Sequence, residues 1–401
     1  MKKIHCTALA LVCCLCSLLV ITGCDIQLGD WAKAKHERTV QRQAPLASGS
    51  TVVVQTKAGS VTITGADVPD CNVVAKITVK APTKQEAQEI SEKININLEQ
   101  VGQTLTAKAD TPPRDKKYSV SISYNITVPK QTNIECASSY GAIKLSNIDG
   151  SVDGKTSSGS ITAENIQGTT QLNTSYGSVK CTDISGDSIK VKTSSGSITA
   201  KNIKGPTELD TSYGSIHCDD ISGGDVKLKT SSGNIKLSKA SCGDSDLHTS
   251  YGSITVDELK GSSVKLHSGS GGINVTDASA EKTDISTAYG RINCRQLTTA
   301  DLTSISSSGN IDIVCSDSTP TDITASVVTS YGSIEFETPP DFAGQVDLST
   351  SYGSIRTDLP ITISGEISKK KLKGTIGQGN GKLYLKTNSG SIKIRLNQYE
   401  N

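Results

Sequence analysis

The chain has 401 residues with 41 basic and 40 acidic side chains, a formal net charge of +1, and such a balance argues against a polyanion such as nucleic acid as partner. Aromatic residues supply only 3% of it, too few for one conventional core to hold so long a chain together, so a modular architecture is expected. Twelve cysteines suggest the disulfide framework of an exported protein.

The first 23 residues read as an export signal: Lys2 and Lys3 precede an apolar run from Ala8 to Ile21, too short for a membrane span. The run ends in Ile21-Thr22-Gly23-Cys24, which resembles a bacterial lipobox, so Cys24 is expected to carry lipid and to anchor the mature protein to a membrane of the bacterial envelope. Cleavage there would remove two of the 41 basic residues and none of the 40 acidic ones, for a net charge of −1. It would also remove Cys6, Cys13, Cys14 and Cys16, and with Cys24 lipidated an odd number of thiols remains.

Residues 24–48, with Trp31 and mixed charge, read as a tether with room for one strand. Residues 49–130 read as a small α+β cap. "STVVVQTKAGSVTITGADV" and "NVVAKITVKA" alternate as strands do, and Thr83-Lys84-Gln85-Glu86 is a capping box that opens a helix to about Lys93. Then "ININLEQ", "TLTAKAD" and "YSVSISYNITVPK" return to strand.

From residue 131 to 396 one phrase recurs. Its glycines, from Gly141 through Gly159, Gly177, Gly196, Gly214, Gly233, Gly252, Gly271 and Gly290 to Gly309, follow one another at 18 or 19 residues. Gly332, Gly353 and Gly390 continue the series at looser spacing, and Gly59 is an outlying copy. Two residues past every marker glycine stands a β-branched aliphatic, from Val61 and Ile143 to Ile392. A period near nineteen with period-two alternation inside each unit predicts the stacked coils of a parallel β-solenoid. Each coil is expected to turn about five aliphatics inward, with one bend at the marker glycine and a second at phrases such as Asn165-Ile166-Gln167-Gly168. Glycines there would permit positive φ, and Asx side chains would cap the turn. A propeller is the competing architecture, but strands at different radii of a blade should differ in sequence. Past the looser copies, "KGTIGQGNGKLYLKTNSGSIKIRL" suggests glycine-rich turns and a closing hairpin.

The residue before the marker alternates between large and small: Tyr140, Ser158, Tyr176, Ser195, Tyr213, Ser232, Tyr251, Ser270, Tyr289, Ser308, and then Tyr331 and Tyr352 without a serine between them. Two readings are open. The rings lean over the gaps left by the serines as corner packing, or Tyr140, Tyr176, Tyr213, Tyr251, Tyr289, Tyr331 and Tyr352 form an aromatic binding ladder for sugar rings or a partner surface.

Three features together resemble the bacterial "putative adhesin" β-strand-repeat family: the strand end Ile126-Thr127-Val128-Pro129-Lys130, the chain of Ser-Tyr/Ser-Gly-Ser-Ile phrases, and Gly374-Thr375-Ile376-Gly377 followed by Lys386-Thr387-Asn388-Ser389-Gly390-Ser391-Ile392. The resemblance covers about residues 49 to 396. It implies an envelope-located β-solenoid and brings no catalytic residues with it.

No catalytic centre, metal site or cofactor is expected. There is no G-x-S-x-G elbow, and "GQGNGKL" ends in Leu rather than the Ser or Thr of a phosphate loop. His248 and His267 share an outward position in adjacent coils but lack a third ligand, so a solvated face is expected. Cys181, Cys218 and Cys294 fall in an inward slot, with Cys181 and Cys218 two coils apart, beyond disulfide reach, and they read as buried thiols. The expected function is non-enzymatic: a lipid-anchored envelope rod for adhesion or scaffolding through a Ser/Thr/Tyr-rich face. The alternatives are a glycan-binding or glycan-processing β-helix protein and an envelope-sensing component that binds another protein.

Overall fold

A computed structural model describes residues 34–113, 115, 117–363 and 368–397. The parallel β-solenoid expected from the phrase is present, and each coil gives one strand to each of two columns. In the first column Ile143, Ile161, Val179 and Ile198 stack in parallel register. In the second Val152, Thr170, Ile189 and Thr207 do the same. Identical slots therefore lie one strand spacing apart, ~4.8 Å. This register excludes the radial blades of a propeller.

About six side chains of a coil point inward. In the coil that follows Gly214 they are Ile216, Cys218, Ile221, Val226, Leu228 and Thr230, each no more than 1% exposed. Five are small or branched apolar groups, which suit a narrow interior between two pleated walls. The sixth is a threonine whose hydroxyl is bonded to the marker glycines, as described below.

The two bends work differently from the sequence expectation. From Gly141 onward the marker glycines do not adopt positive φ. Glycine is required there because a Cβ on Gly177 would overlap the carbonyl of Gly159, one on Gly196 the carbonyl of Gly177, and so on along the column. At the second bend the left-handed conformation falls on the Asx residue itself: Asn147, Asn165, Asp183, Asn202 and Asp220 have φ of 53 to 59°. Asn and Asp tolerate this region best among residues with a side chain. Their amides also bond along the column, Asn165 donating to the Oδ1 of Asn147 at 2.8 Å and Asn202 to the Oδ1 of Asp183 at 2.7 Å. Of the bend glycines, Gly168 and Gly205 have positive φ and Gly150 and Gly186 do not.

The N-terminal end is covered in layers. Strands Thr51–Thr56 and Val61–Ala66 pair in parallel with Asn133–Ser138 and Ile143–Ile148, so the copy at Gly59 is a coil of the stack. Beyond them lie Thr104–Asp110 and Ser119–Pro129, still parallel. Then the direction reverses. Asn95–Val101 runs antiparallel to Thr104–Asp110, Asp70–Ala81 runs antiparallel to Ser119–Pro129, and Ala34–Pro45 runs antiparallel outside that. The last of these strands lies within the stretch read as a tether. Helix Lys84–Glu92 packs on the outer two of these strands. Its capping box forms as read: Thr83 Oγ1 accepts the Glu86 amide at 3.2 Å, and the Glu86 carboxylate accepts the Thr83 amide at 3.2 Å. A solenoid end is a row of unpaired backbone groups, and this cap removes it from solvent.

At the far end the chain leaves sequence order. In the first column Ile334 pairs with Ile392, and Ile392 pairs with Ile355. In the second, Gly381–Thr387 lies between Thr324–Thr329 and Gly344–Thr350. The last coil in the sequence is thus inserted between two earlier ones. The expected closing hairpin is not formed: Lys371–Ile376 runs antiparallel on the opposite side of Gly344–Thr350 from Gly381–Thr387. Residues 377–380 carry the chain across that strand, a step of two spacings, ~10 Å, within the reach of so short a linker. Gly344–Thr350 thereby has a partner on each side and is not a bare edge.

Candidate functional site

The marker bend forms one long edge of the rod, and its geometry begins with the threonine three residues before each glycine. Thr174 Oγ1 donates to the carbonyl of Gly159 in the preceding coil at 2.9 Å and accepts the amide of Gly177 at 3.2 Å. Thr193, Thr211, Thr230, Thr249 and Thr287 repeat both bonds, and Ser138, Ser268 and Ser306 do so with a serine hydroxyl. Each such hydroxyl satisfies a buried carbonyl of one coil and an amide of the next. It pins the bend to its neighbour and so sets the height at which the following residue leaves the rod. This column was not singled out from the sequence, although a Thr or Ser stands three residues before every marker glycine.

The residue so presented is the tyrosine or serine. Tyr140, Tyr176, Tyr213, Tyr251, Tyr289, Tyr331 and Tyr352 are 68 to 79% exposed. No ring stacks on another, the one ring–ring pair among the described residues being His248 with His267. The bend backbone is held by its neighbours, with the Tyr176 amide on the Ser157 carbonyl and the Ser195 amide on the Ser175 carbonyl, both at 3.0 Å.

In sequence the alternation fails between Tyr331 and Tyr352, but in space it does not. The coil of Ser389 and Gly390 lies between them: a Cβ on Gly390 would meet the carbonyl of Gly332, and one on Gly353 the carbonyl of Gly390. At the other end Ala58 precedes Gly59, whose carbonyl adjoins Gly141. From Ala58 to Tyr352 every tyrosine therefore has a small residue on either side along the rod, except where Tyr352 meets the closing segment. There the Lys370 ammonium lies 5.9 Å from the ring centroid.

The other candidates do not assemble into a site. His248 and His267 face each other in register, with ring centroids 4.8 Å apart and planes 13° from parallel, and His267 Nδ1 lies 2.9 Å from Ser286 Oγ. Burial and then the charges of His267 and Lys229 lower the His248 pKa. Among the described residues no three His, Cys, Asp or Glu converge as metal ligands do. Two shallow hollows, of 210 and 360 Å³, lie over outward strand faces, one beside Glu135 and Asp153, the other beside Asp347 and Lys373.

The cysteines among the described residues do not form the disulfide framework expected from their number. Cys71, Cys136, Cys181, Cys218, Cys294 and Cys315 are free and buried, and Cys242 is free and half-buried. Cys181 and Cys218 are separated by Ala200 in the register of the first column, as the two-coil spacing required. Each fills an inward slot as a small apolar group, and burial pushes the thiols of Cys136, Cys181 and Cys315 up to about 12. Cys24 lies outside the described residues.

A family model described as Toastrack DUF4097 matches residues 50–245 and again 219–395. The chain belongs to the Toastrack family. The match covers the stretch on which the sequence resemblance rests. No curated protein matches this Toastrack chain. Similar solved structures include one titled a putative cell adhesion protein from Clostridium sporogenes, at 8% identity over 90% of this chain and 100% of that one, with a TM-score of 0.14. Another, titled a putative adhesin from Bacteroides fragilis, has 13% identity over 89% and 97% with a TM-score of 0.17. A third, titled a putative lipid binding protein from Parabacteroides distasonis, has 14% identity over 90% and 97% with a TM-score of 0.23. At such TM-scores nothing in those titles carries over to the Toastrack rod. Among the described residues no helix is long and apolar enough to cross a membrane.

Proposed function

We propose that this chain is a non-catalytic envelope rod, tethered through lipid on Cys24, that binds a partner along the tyrosine edge for adhesion or scaffolding. The observation that carries the reading is the spatial alternation of tyrosine and small residue. It survives at the far end, where the last coils leave sequence order, because Ser389 stands between Tyr331 and Tyr352. Packing alone gives a weak reason for it, since the rings are about 70% exposed and bury little area against the rod. A rigid scaffold that presents evenly spaced, amphipathic rings is what a binding surface requires. The faces on either side carry compensating charge, such as Lys190 beside Glu208 and Lys201 beside Asp219, and among the described residues they carry no row of exposed rings.

The test is retention of a bacterial envelope fraction on the immobilised full chain, with Tyr176, Tyr213 and Tyr251 changed together to Ser. Retention should fall at least about tenfold with the melting temperature unchanged; equal retention would refute the edge as the binding surface. For the tether, Cys24→Ala should move the protein from the membrane to the soluble fraction, and an unchanged distribution would refute lipid anchoring there.

A further inference from the structure

We infer that the edge binds a linear β-1,4-linked polysaccharide, one tyrosine to every second sugar. The inference rests on the proposed role of this edge and adds the chemical class of the ligand. Successive tyrosines stand two coils apart, ~10 Å. In a β-1,4-linked chain each sugar is turned over relative to the last, so the same ring face returns every second sugar, at a repeat also close to ~10 Å, equal to two strand spacings. A tyrosine ring set at that interval meets the same apolar sugar face each time and stacks on its C–H groups. An extended peptide fits poorly: its side chains return to one side every ~7 Å, so rings and peptide residues fall out of step at once.

The small residues complete the fit. Ser158, Ser195, Ser232, Ser270, Ser308 and Ser389 are exposed. Among the described residues none of their hydroxyls is engaged by a protein partner, in contrast to the threonines three residues before the glycines, whose hydroxyls donate to marker carbonyls. Each such serine stands where the inverted sugar would lie, with a free hydroxyl that can donate and accept. A second tyrosine at that level would fill the space the inverted sugar needs. Strict alternation, including the out-of-order Ser389, follows from this requirement. The rod is long enough to hold several such repeats, on the order of 60 Å over its fourteen marker layers. A nearly neutral chain suits an uncharged polymer.

The experiment is calorimetric titration of the full chain in detergent with cellohexaose and chitohexaose, and with maltohexaose as the α-linked control. The β-1,4 hexasaccharides should bind and maltohexaose should not. Changing Tyr176, Tyr213 and Tyr251 together to Ser should weaken binding at least about tenfold. The decisive variant exchanges Tyr213→Ser with Ser232→Tyr, which keeps the number of tyrosines but breaks their spacing, and it should bind about tenfold more weakly than the natural chain while melting at the same temperature. Binding that ignores linkage, or an exchange variant that binds as the natural chain does, would overturn the inference. Should no hexasaccharide bind while envelope retention still depends on the three tyrosines, the glycan assignment falls and the binding edge stands. If neither depends on them, both fall.

Discussion

Thr230 donates its hydroxyl to the carbonyl of Gly214 in the preceding coil at 2.9 Å and accepts the amide of Gly233 at 3.1 Å. One buried hydroxyl thereby closes two backbone groups that belong to different coils.

Thr230→Val keeps the volume and removes both bonds, leaving a buried carbonyl and amide without partners at a cost of about 1–3 kcal/mol. Thr230→Ser should recover most of that loss, since Ser268 and Ser306 make the same pair of bonds. Urea denaturation of the three proteins side by side measures both values. Equal stability of the valine and serine variants would show that the hydroxyl is not what holds the bend.

Two neighbouring glycines should respond oppositely. A Cβ on Gly271 would overlap the carbonyl of Gly252, whereas on Gly272 the nearest backbone atom is the Arg291 carbonyl oxygen at 3.3 Å. Gly271→Ala must push two backbones apart and should cost at least about 3 kcal/mol. Gly272→Ser, which installs the residue found at this place after Gly177 and Gly196, should stay within about 0.5 kcal/mol. Denaturation midpoints decide it, and a tolerated Gly271→Ala would remove close approach as the reason for the marker glycine.

Lys239, Glu258 and Gln296 hold φ of 52 to 54° at the bend where other coils have Asn or Asp. A left-handed conformation costs a long side chain roughly 1 kcal/mol more than it costs Asn. Lys239→Asn should therefore stabilise the rod by about 0.5–1 kcal/mol. A melting temperature that falls instead would contradict left-handed strain as the reason for the Asx preference.

The exposed rings predict near-silence in stability. Tyr176→Ser, Tyr213→Ser and Tyr251→Ser should each change unfolding by less than about 0.5 kcal/mol, as surface substitutions do. Losses of about 2 kcal/mol or more per ring, measured in the same denaturant series, would restore corner packing as the reason for the alternation.

The buried thiols set an alkaline limit. Their acidity is suppressed by burial, so in the folded rod Cys136, Cys181 and Cys315 stay neutral until about 12. Once unfolded, the same thiols ionise at their ordinary pKa, near 8.5. A pKa raised by folding gives stability that is complete below the unfolded value and lost as pH rises toward the folded one. Each such thiol should therefore remove about 1.4 kcal/mol per pH unit between roughly pH 9 and 12. Cys181→Ala should flatten that decline in a pH series of denaturation curves. A thiol reagent at neutral pH should modify half-buried Cys242 first and the six buried cysteines only on unfolding; fast labelling of Cys181 would contradict its burial.

Much of the fold is legible in residues 131–396 because a solenoid is governed by local repetition. An aliphatic two residues past each glycine, an Asx at the second bend and a threonine before the first recur at one period, and each faces its own copy in the next coil. Periodicity could therefore name the coils, the inward slots and the tyrosine column. The capping box at Thr83 was equally local. What no period could reveal was the order of the last coils, since Ile392 pairs with both Ile334 and Ile355 across unequal stretches of chain, and all three belong to the same phrase. Identical slots are interchangeable by sequence; which two become neighbours depends on how the ends are closed. Tertiary structure alone decided that Ser389 separates Tyr331 from Tyr352. It also decided that the marker glycine is demanded by a carbonyl one coil away and not by its own φ, a contact between residues that share no local sequence.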